Sequence, residues 1–135
     1  MENIKNIEVI YTKEAPEPIG PYSQATKFNG LIFTSGQLGI DPATGVLAGS
    51  EIERQAEQSL YNLERILTAA NSDLSHVIET VIYLTNIKDF QAVNKIYTEK
   101  MKGHKPARTT VEVSSLPLFS KIEIKMTAAE KFSQP

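Results

Sequence analysis

Two side chains in this sequence could do chemistry together. Arg108 opens the run ARTTVEV (107–113) as one of three arginines beside eleven lysines, and Glu123 stands in KIEIKM (121–126). A guanidinium fork holds a carboxylate by two parallel hydrogen bonds, a grip a lysine ammonium does not reproduce. If the two strands lie near each other, within one chain or across an interface, Arg108 can anchor a small carboxylic acid while Glu123 handles a water or a proton. A structural ion pair between Arg108 and a glutamate fits the same pattern. Four further residues stand where a ligand could be met, each with a plainer role beside it. Tyr22 in GPYSQA (20–25) is an aromatic wall or a loop anchor, and Gly36 in SGQ (35–37) admits close backbone approach or ends a strand. Asn94 donates to a ligand or caps neighbouring backbone, and Thr110 lies two residues past the arginine on the same side of its strand.

The elements that must position these groups follow from periodicity. Residues 7–12 form a short apolar-rich strand, and the Ala-Pro and Glu-Pro steps of 15–18 keep the chain extended and irregular up to GPYSQA. Strands at 24–28 and 31–35 flank Asn29-Gly30, a two-residue type I′ hairpin signal, and DPATG (41–45) is a turn. Ser50 with Glu53 fits a capping box, opening a helix to about Asn71 with Ile52, Ala56, Leu60, Leu63, Leu67 and Ala70 on one face. The run from Val77 to Leu84 reads as a largely buried strand. A second helix runs from about Lys88 to Met101, with Phe90, Val93, Tyr97 and Met101 as its apolar stripe and Gly103 past its end.

Strands at 108–113 and 121–126 close the chain, giving the order β-β-β-α-β-α-β-β. That order implies an α+β fold: a mainly antiparallel or mixed sheet with both helices on one face. The apolar strand faces meet the helices, which assigns Arg108, Thr110, Glu112, Glu123 and Lys125 to the opposite face. A face so mixed suits an oligomer interface with a carboxylate site built into it.

Composition bounds the alternatives. The 135 residues, 41% hydrophobic, make one domain, residues 1–135. A net charge of −2 offers no electrostatic footprint for nucleic acid, and no apolar run approaches membrane-spanning length. The absence of cysteine excludes thiolate chemistry and disulfides. His76 and His104 are too few and too separated for a metal cluster, and both read as surface or structural residues. The expectation is a soluble cytoplasmic protein.

Taken in order, GPYSQA (20–25), FTSGQ (33–37), QAEQSLYNLERIL (55–67), DFQAVNKIY (89–97), PARTTVEV (106–113), Leu116-Pro117 and IEI (122–124) resemble the RidA (YjgF) family, from about residue 8 to residue 130. The resemblance implies a chorismate-mutase-like α+β fold, assembled as a homotrimer with sites in the clefts between subunits. It implies hydrolysis of reactive 2-enamine and 2-imine acids, such as 2-aminoacrylate and 2-aminocrotonate, to 2-keto acids and ammonia, without metal or organic cofactor. Arg108 then binds the substrate carboxylate, Glu123 orients the water, Tyr22 stacks, and Gly36 and Asn94 complete the pocket. Thr110 stands where many members carry cysteine, so no thiol chemistry attaches to it. Leu118 and Phe119 replace a polar residue and a glycine that usually follow Leu-Pro, which bears on substrate range. A non-catalytic trimer that senses a small carboxylic acid is the rival reading; it needs the arginine but not the glutamate. An RNA-acting role suits the acidic pI of about 5.7 poorly.

Overall fold

Residues 6–132 are described by a computed structural model of the chain. The strands are β1 (Glu8–Ile10), β2 (Ala25–Phe28), β3 (Leu31–Thr34), β4 (Gln37–Leu38), β5 (Val77–Leu84), β6 (Ala107–Glu112) and β7 (Ile122–Ala129). The helices are α1 (Ile52–Ala69) and α2 (Phe90–Met101). They build one mixed sheet in the order β1-β2-β3-β7-β5-β6, with β4 also paired to β7. Every pairing is antiparallel except β5 with β6, which are parallel and joined through α2, the crossover a parallel pair requires. Asn29 and Gly30 both take positive φ, 53° and 78°, as the predicted I′ hairpin demands. No helix among the described residues is long and apolar enough to cross a membrane.

The last strand is the middle of the molecule. In β7 the residues Ile122, Ile124, Met126 and Ala128 are buried while those between them are not, so one side of the strand is core and the other is open. Against the core side pack Ile82 and Leu84 of β5, Ile32 of β3, and the α1 stripe Leu60, Leu63, Ile66 and Leu67. α2 adds Val93, Tyr97 and Met101. Both helices thus lie on one sheet face, as the alternation requires.

Three local expectations need correction. The first cap residue of α1 is Glu51, whose side chain makes no cap bond, so Ser50 and Glu53 do not form a capping box; burial of Ile52 sets where the first turn begins. Residues Ile87–Asp89 are a separate 3₁₀ turn, with the Asn86 side chain accepting from the Lys88 N–H at 3.0 Å, and α2 starts only at Phe90. β4 is an additional strand. Its two residues are too short for any alternation to show, and what holds it is α1: Ser59 Oγ donates to the Gln37 carbonyl at 2.7 Å. Asn62 Nδ2 donates to Leu38 at 3.2 Å and to Ile40 at 2.9 Å. The Gln55 amide completes the row, donating to the Gly49 carbonyl at 2.9 Å and accepting from the Lys121 N–H at 2.8 Å. These buried polar residues recur at i, i+4 and i+7 on α1 and satisfy backbone groups that would otherwise be orphaned. A Cβ at Gly39 would lie 2.7 Å from the Gln55 Cα, so the β4 segment and α1 meet backbone to backbone.

Candidate active site

The loop before β2 brings Tyr22 to the sheet. Gln24 is buried and staples this loop: its Oε1 accepts from the Thr12 N–H at 2.8 Å, and its amide donates to the carbonyls of Thr12 at 3.0 Å and Pro16 at 2.9 Å. Ser35, at the exit of β3, donates through its hydroxyl to the Ser23 carbonyl at 2.6 Å and through its backbone to Gln24 at 2.9 Å. Residues 22 and 36 are thereby held side by side. The Tyr22 hydroxyl accepts from the Ile19 N–H at 3.3 Å, and its ring stays about half exposed.

A cavity of about 440 Å³ opens here, lined by Tyr22, Thr34, Ser35, Gly36, Pro117, Glu123 and Lys125. Glu123 projects from the open side of β7. Its carboxylate takes part in no hydrogen bond or ion pair among the described residues, and burial pushes its pKa above the ordinary glutamate value while Lys125 pulls it part of the way back. Gly36 has to be glycine for this geometry, because a Cβ there would lie 2.6 Å from the Glu123 carboxyl carbon. Gly36→Ala should therefore push Glu123 out of place and cut turnover on the order of 10²-fold, the scale of a small misplacement of a reacting group. The thermal midpoint should barely move, and a variant with unimpaired turnover would dissociate the two residues.

Arg108 is elsewhere. β6 pairs with β5 so that Arg108 lies opposite Thr80, which lies opposite Met126 of β7, and both of those are buried on the helix side. Glu123 lies opposite Tyr83 on the other side. The assignment of Arg108, Thr110, Glu112, Glu123 and Lys125 to one sheet face is thus overturned: Arg108 and Thr110 face α2, and Glu123 and Lys125 face away. The cause is parallel pairing at an edge. Register with β5 dictates which β6 side chains turn toward the helices, and at this edge the helix side holds Arg108, which Asn94 of α2 supplies with a partner. Within one chain the two groups stand roughly 10 Å apart across two strand spacings and roughly 10 Å along the strand, through the sheet.

Around Arg108 the helix closes in. Nη2 donates to Asn94 Oδ1 at 2.6 Å, and the guanidinium carbon sits 4.9 Å from the Tyr97 ring centre and 5.5 Å from that of Phe90. No carboxylate pairs with Arg108 among the described residues, so the alternative of a structural ion pair does not describe it. The Thr110 hydroxyl is buried without a hydrogen-bond partner on the same side of the strand. A cleft of about 250 Å³ beside Arg108 is lined by Tyr97, Thr98, Gly103, His104, Lys105 and Pro106. His104 there lies with Nε2 2.7 Å from the Val77 carbonyl, and His76 is bound to Asp73 at 2.7 Å at the end of a 3₁₀ turn.

The expected site residues thus fall into two groups: Tyr22, Gly36 and Glu123 on the open face, and Arg108, Asn94 and Thr110 on the helix side. Phe90 and Tyr97 are additions. Their spacing from Asn94 was visible as part of an apolar stripe, but a stripe reports burial and does not show which of its members meet a cation.

The chain from 12 to 130 matches the model of the family described as Endoribonuclease L-PSP. It is similar to Reactive Intermediate Deaminase A of Arabidopsis thaliana, a chloroplastic protein, with 46% identity over 121 residues, 90% of this chain. The chain spans 65% of that relative's length. It is 43% identical to the human 2-iminobutanoate/2-iminopropanoate deaminase over 122 residues, 90% of this chain and 89% of the relative. Among solved structures, E. coli TdcF with bound serine superposes with a TM-score of 0.88 at 33% identity, covering 92% of this chain and 99% of that one.

Proposed function

The chain belongs to the L-PSP (RidA/YjgF) family, and from that premise we propose that it hydrolyses reactive 2-enamine and 2-imine acids to 2-keto acids and ammonia. The substrates are 2-aminoacrylate, 2-aminocrotonate and their imino tautomers. The observation that carries this reading is the Glu123 carboxylate, which has no hydrogen-bond or ion-pair partner among the described residues in the Tyr22–Gly36 cavity and is raised in pKa by burial. A sensor of carboxylic acids has no use for such a group beside its ligand, where it would repel the anion. The human relative's name and the E. coli relative's bound serine, itself a small amino acid carrying a carboxylate, point the same way.

The chemistry needs few groups. Arg108 takes the substrate carboxylate in a bidentate grip and so fixes C2, the gain being chiefly orientation. Glu123 accepts a proton from water as the oxygen bonds to C2, giving a tetrahedral carbon that bears both oxygen and nitrogen. That proton passes to nitrogen, giving a carbon that bears OH and NH2; the hydroxyl proton then also moves to nitrogen as its oxygen closes to the carbonyl and the C–N bond breaks, so ammonia leaves a 2-keto acid. Because such imines already react with water, modest acceleration suffices. Coupling the protein to a threonine dehydratase tests the reading: 2-ketobutyrate should appear faster than by spontaneous hydrolysis of the released imine, and an unchanged rate would refute it.

Opposite-face placement of Arg108 and Glu123 supports a shared site, with one subunit's Arg108 meeting the Tyr22–Glu123 cavity of another. The open face supports it too. None of the described residues covers it, and Val9 and Phe33 are 64% and 45% exposed there, with Leu31 beside them and Val111 exposed at the other edge. The expected assembly is a homotrimer of about 45 kDa, three times the 15.0 kDa chain. Sedimentation should show this species, and an active monomer at micromolar concentration would overturn the shared site. The net charge of −2 favours a small-molecule substrate over the RNA that the family description names.

A further inference from the structure

Among the described residues, the groups that hold the Arg108 guanidinium are neutral, and they come from one helix. Phe90, Asn94 and Tyr97 stand at i, i+4 and i+7 of α2, which puts them on one side of the helix. Asn94 accepts from Nη2, and the two rings approach the guanidinium carbon at 5.5 Å and 4.9 Å. Arginine on an edge strand carries about 2 kcal/mol of side-chain rotamer freedom, and a fork that wanders does not present two parallel N–H groups to a carboxylate. An acidic neighbour would restrain it, but would also neutralise the charge and compete with the ligand. Aromatic faces restrain a cation without competing, since they offer no acceptor that a carboxylate would displace.

The ring nearest Arg108 is itself locked. Tyr97 is buried, and its hydroxyl donates to Thr80 Oγ1 at 2.9 Å. Thr80 is the β5 residue paired directly with Arg108. Ring, hydroxyl acceptor and guanidinium are therefore tied to adjacent positions of one strand pair, so that any shift of α2 along the sheet is opposed at the residue next to the arginine. Burial also raises the Tyr97 phenol pKa, which keeps the ring neutral beside the cation.

We propose that Tyr97 and Phe90 are positioning residues for the Arg108 fork, holding it aimed for an incoming carboxylate. This rests on Arg108 being the carboxylate clamp of the proposed reaction. The effect should fall on ligand affinity and KM more than on kcat, because the rings touch neither the water nor C2.

The test reads the arginine directly. In the intact protein, the Arg108 Nε–H signal followed by NMR relaxation should report a rigid side chain in the wild type and in Tyr97→Phe, which keeps the ring. It should become mobile in Tyr97→Leu. Calorimetric binding of 2-ketobutyrate should weaken about threefold to thirtyfold in Tyr97→Leu, the span of one cation–π contact, and by far less in Tyr97→Phe. Phe90→Leu, at a half-buried position, should weaken binding by a smaller factor and serves if Tyr97→Leu does not fold. A rigid Arg108 with unchanged 2-ketobutyrate affinity in a folded leucine variant would overturn the proposal, as would a lowered thermal midpoint as the sole change. Wild-type protein that binds 2-ketobutyrate through a rigid Arg108 but does not accelerate imine hydrolysis would sink the deaminase reading and leave this one standing.

Discussion

Arg108→Ala should lower kcat/KM for imine hydrolysis on the order of 10²- to 10³-fold while the protein folds and assembles as before. Truncating one partner of a desolvated, hydrogen-bonded charge pair costs roughly 2–5 kcal/mol, and here that pair forms only when substrate arrives. The free protein loses little. Its contacts are one hydrogen bond to Asn94 and two ring faces, and no ion pair among the described residues depends on it. Thermal stability should drop by about 1–2 kcal/mol, the scale of one hydrogen bond and two ring contacts. Arg108→Lys should recover less than tenfold, because an ammonium cannot hold Asn94 Oδ1 and a bidentate carboxylate together in one plane. Steady-state kinetics and a melt on each variant decide it: near wild-type turnover in either removes the clamp, and a large stability loss would make Arg108 a structural residue after all.

Glu123→Gln should separate binding from turnover. Turnover should fall by ~10² or more, the usual scale for a positioned base, while 2-ketobutyrate binds as before or slightly tighter, since a negative charge near the anion has gone. The pH dependence has a definite sign. Burial raises the Glu123 pKa above its ordinary 4.5, so the base form is lost at a higher pH than for a free glutamate as the solution is acidified. The acid limb of the rate profile should therefore lie at higher pH than an unperturbed glutamate would give and vanish in Glu123→Gln. Stability follows the same proton. The native state binds it more tightly than the unfolded chain, so this residue's contribution is fully favourable below the unfolded pKa and is lost as pH rises through the raised folded value. At neutral pH the glutamine variant should be at least as stable as the wild type. Equal losses of binding and turnover would make Glu123 a structural partner of the site, and intact turnover would revive the sensor.

Much of this molecule was legible in its residues because the relevant signals are local. Alternation in β6 and β7, the Asn29-Gly30 hairpin and the apolar faces of both helices each arise from a few neighbouring residues, and each appears in the fold; β5, expected to be largely buried, instead alternates, with Ile78 and Glu79 exposed. The group types were legible too, since a guanidinium, an aromatic ring and a glycine state their chemistry without coordinates. β4 was not, because its place depends on Ser59 and Asn62, more than twenty positions along the chain. Nor was the pairing of two apolar stripe residues with a cation, which needs α2 laid against β6.

The decisive difference concerns which way Arg108 points. Alternation along a strand separates its residues into two sets, and by itself it does not say which set of one strand joins which set of another. That is set by register, and the register of β6 comes from parallel pairing with β5 through the α2 crossover. The amino-acid sequence determined that an arginine fork and a glutamate carboxylate stand on the last two strands of this chain. Only the tertiary structure decided that they lie on opposite faces of one sheet, because face assignment is a property of paired strands and is absent from either strand alone.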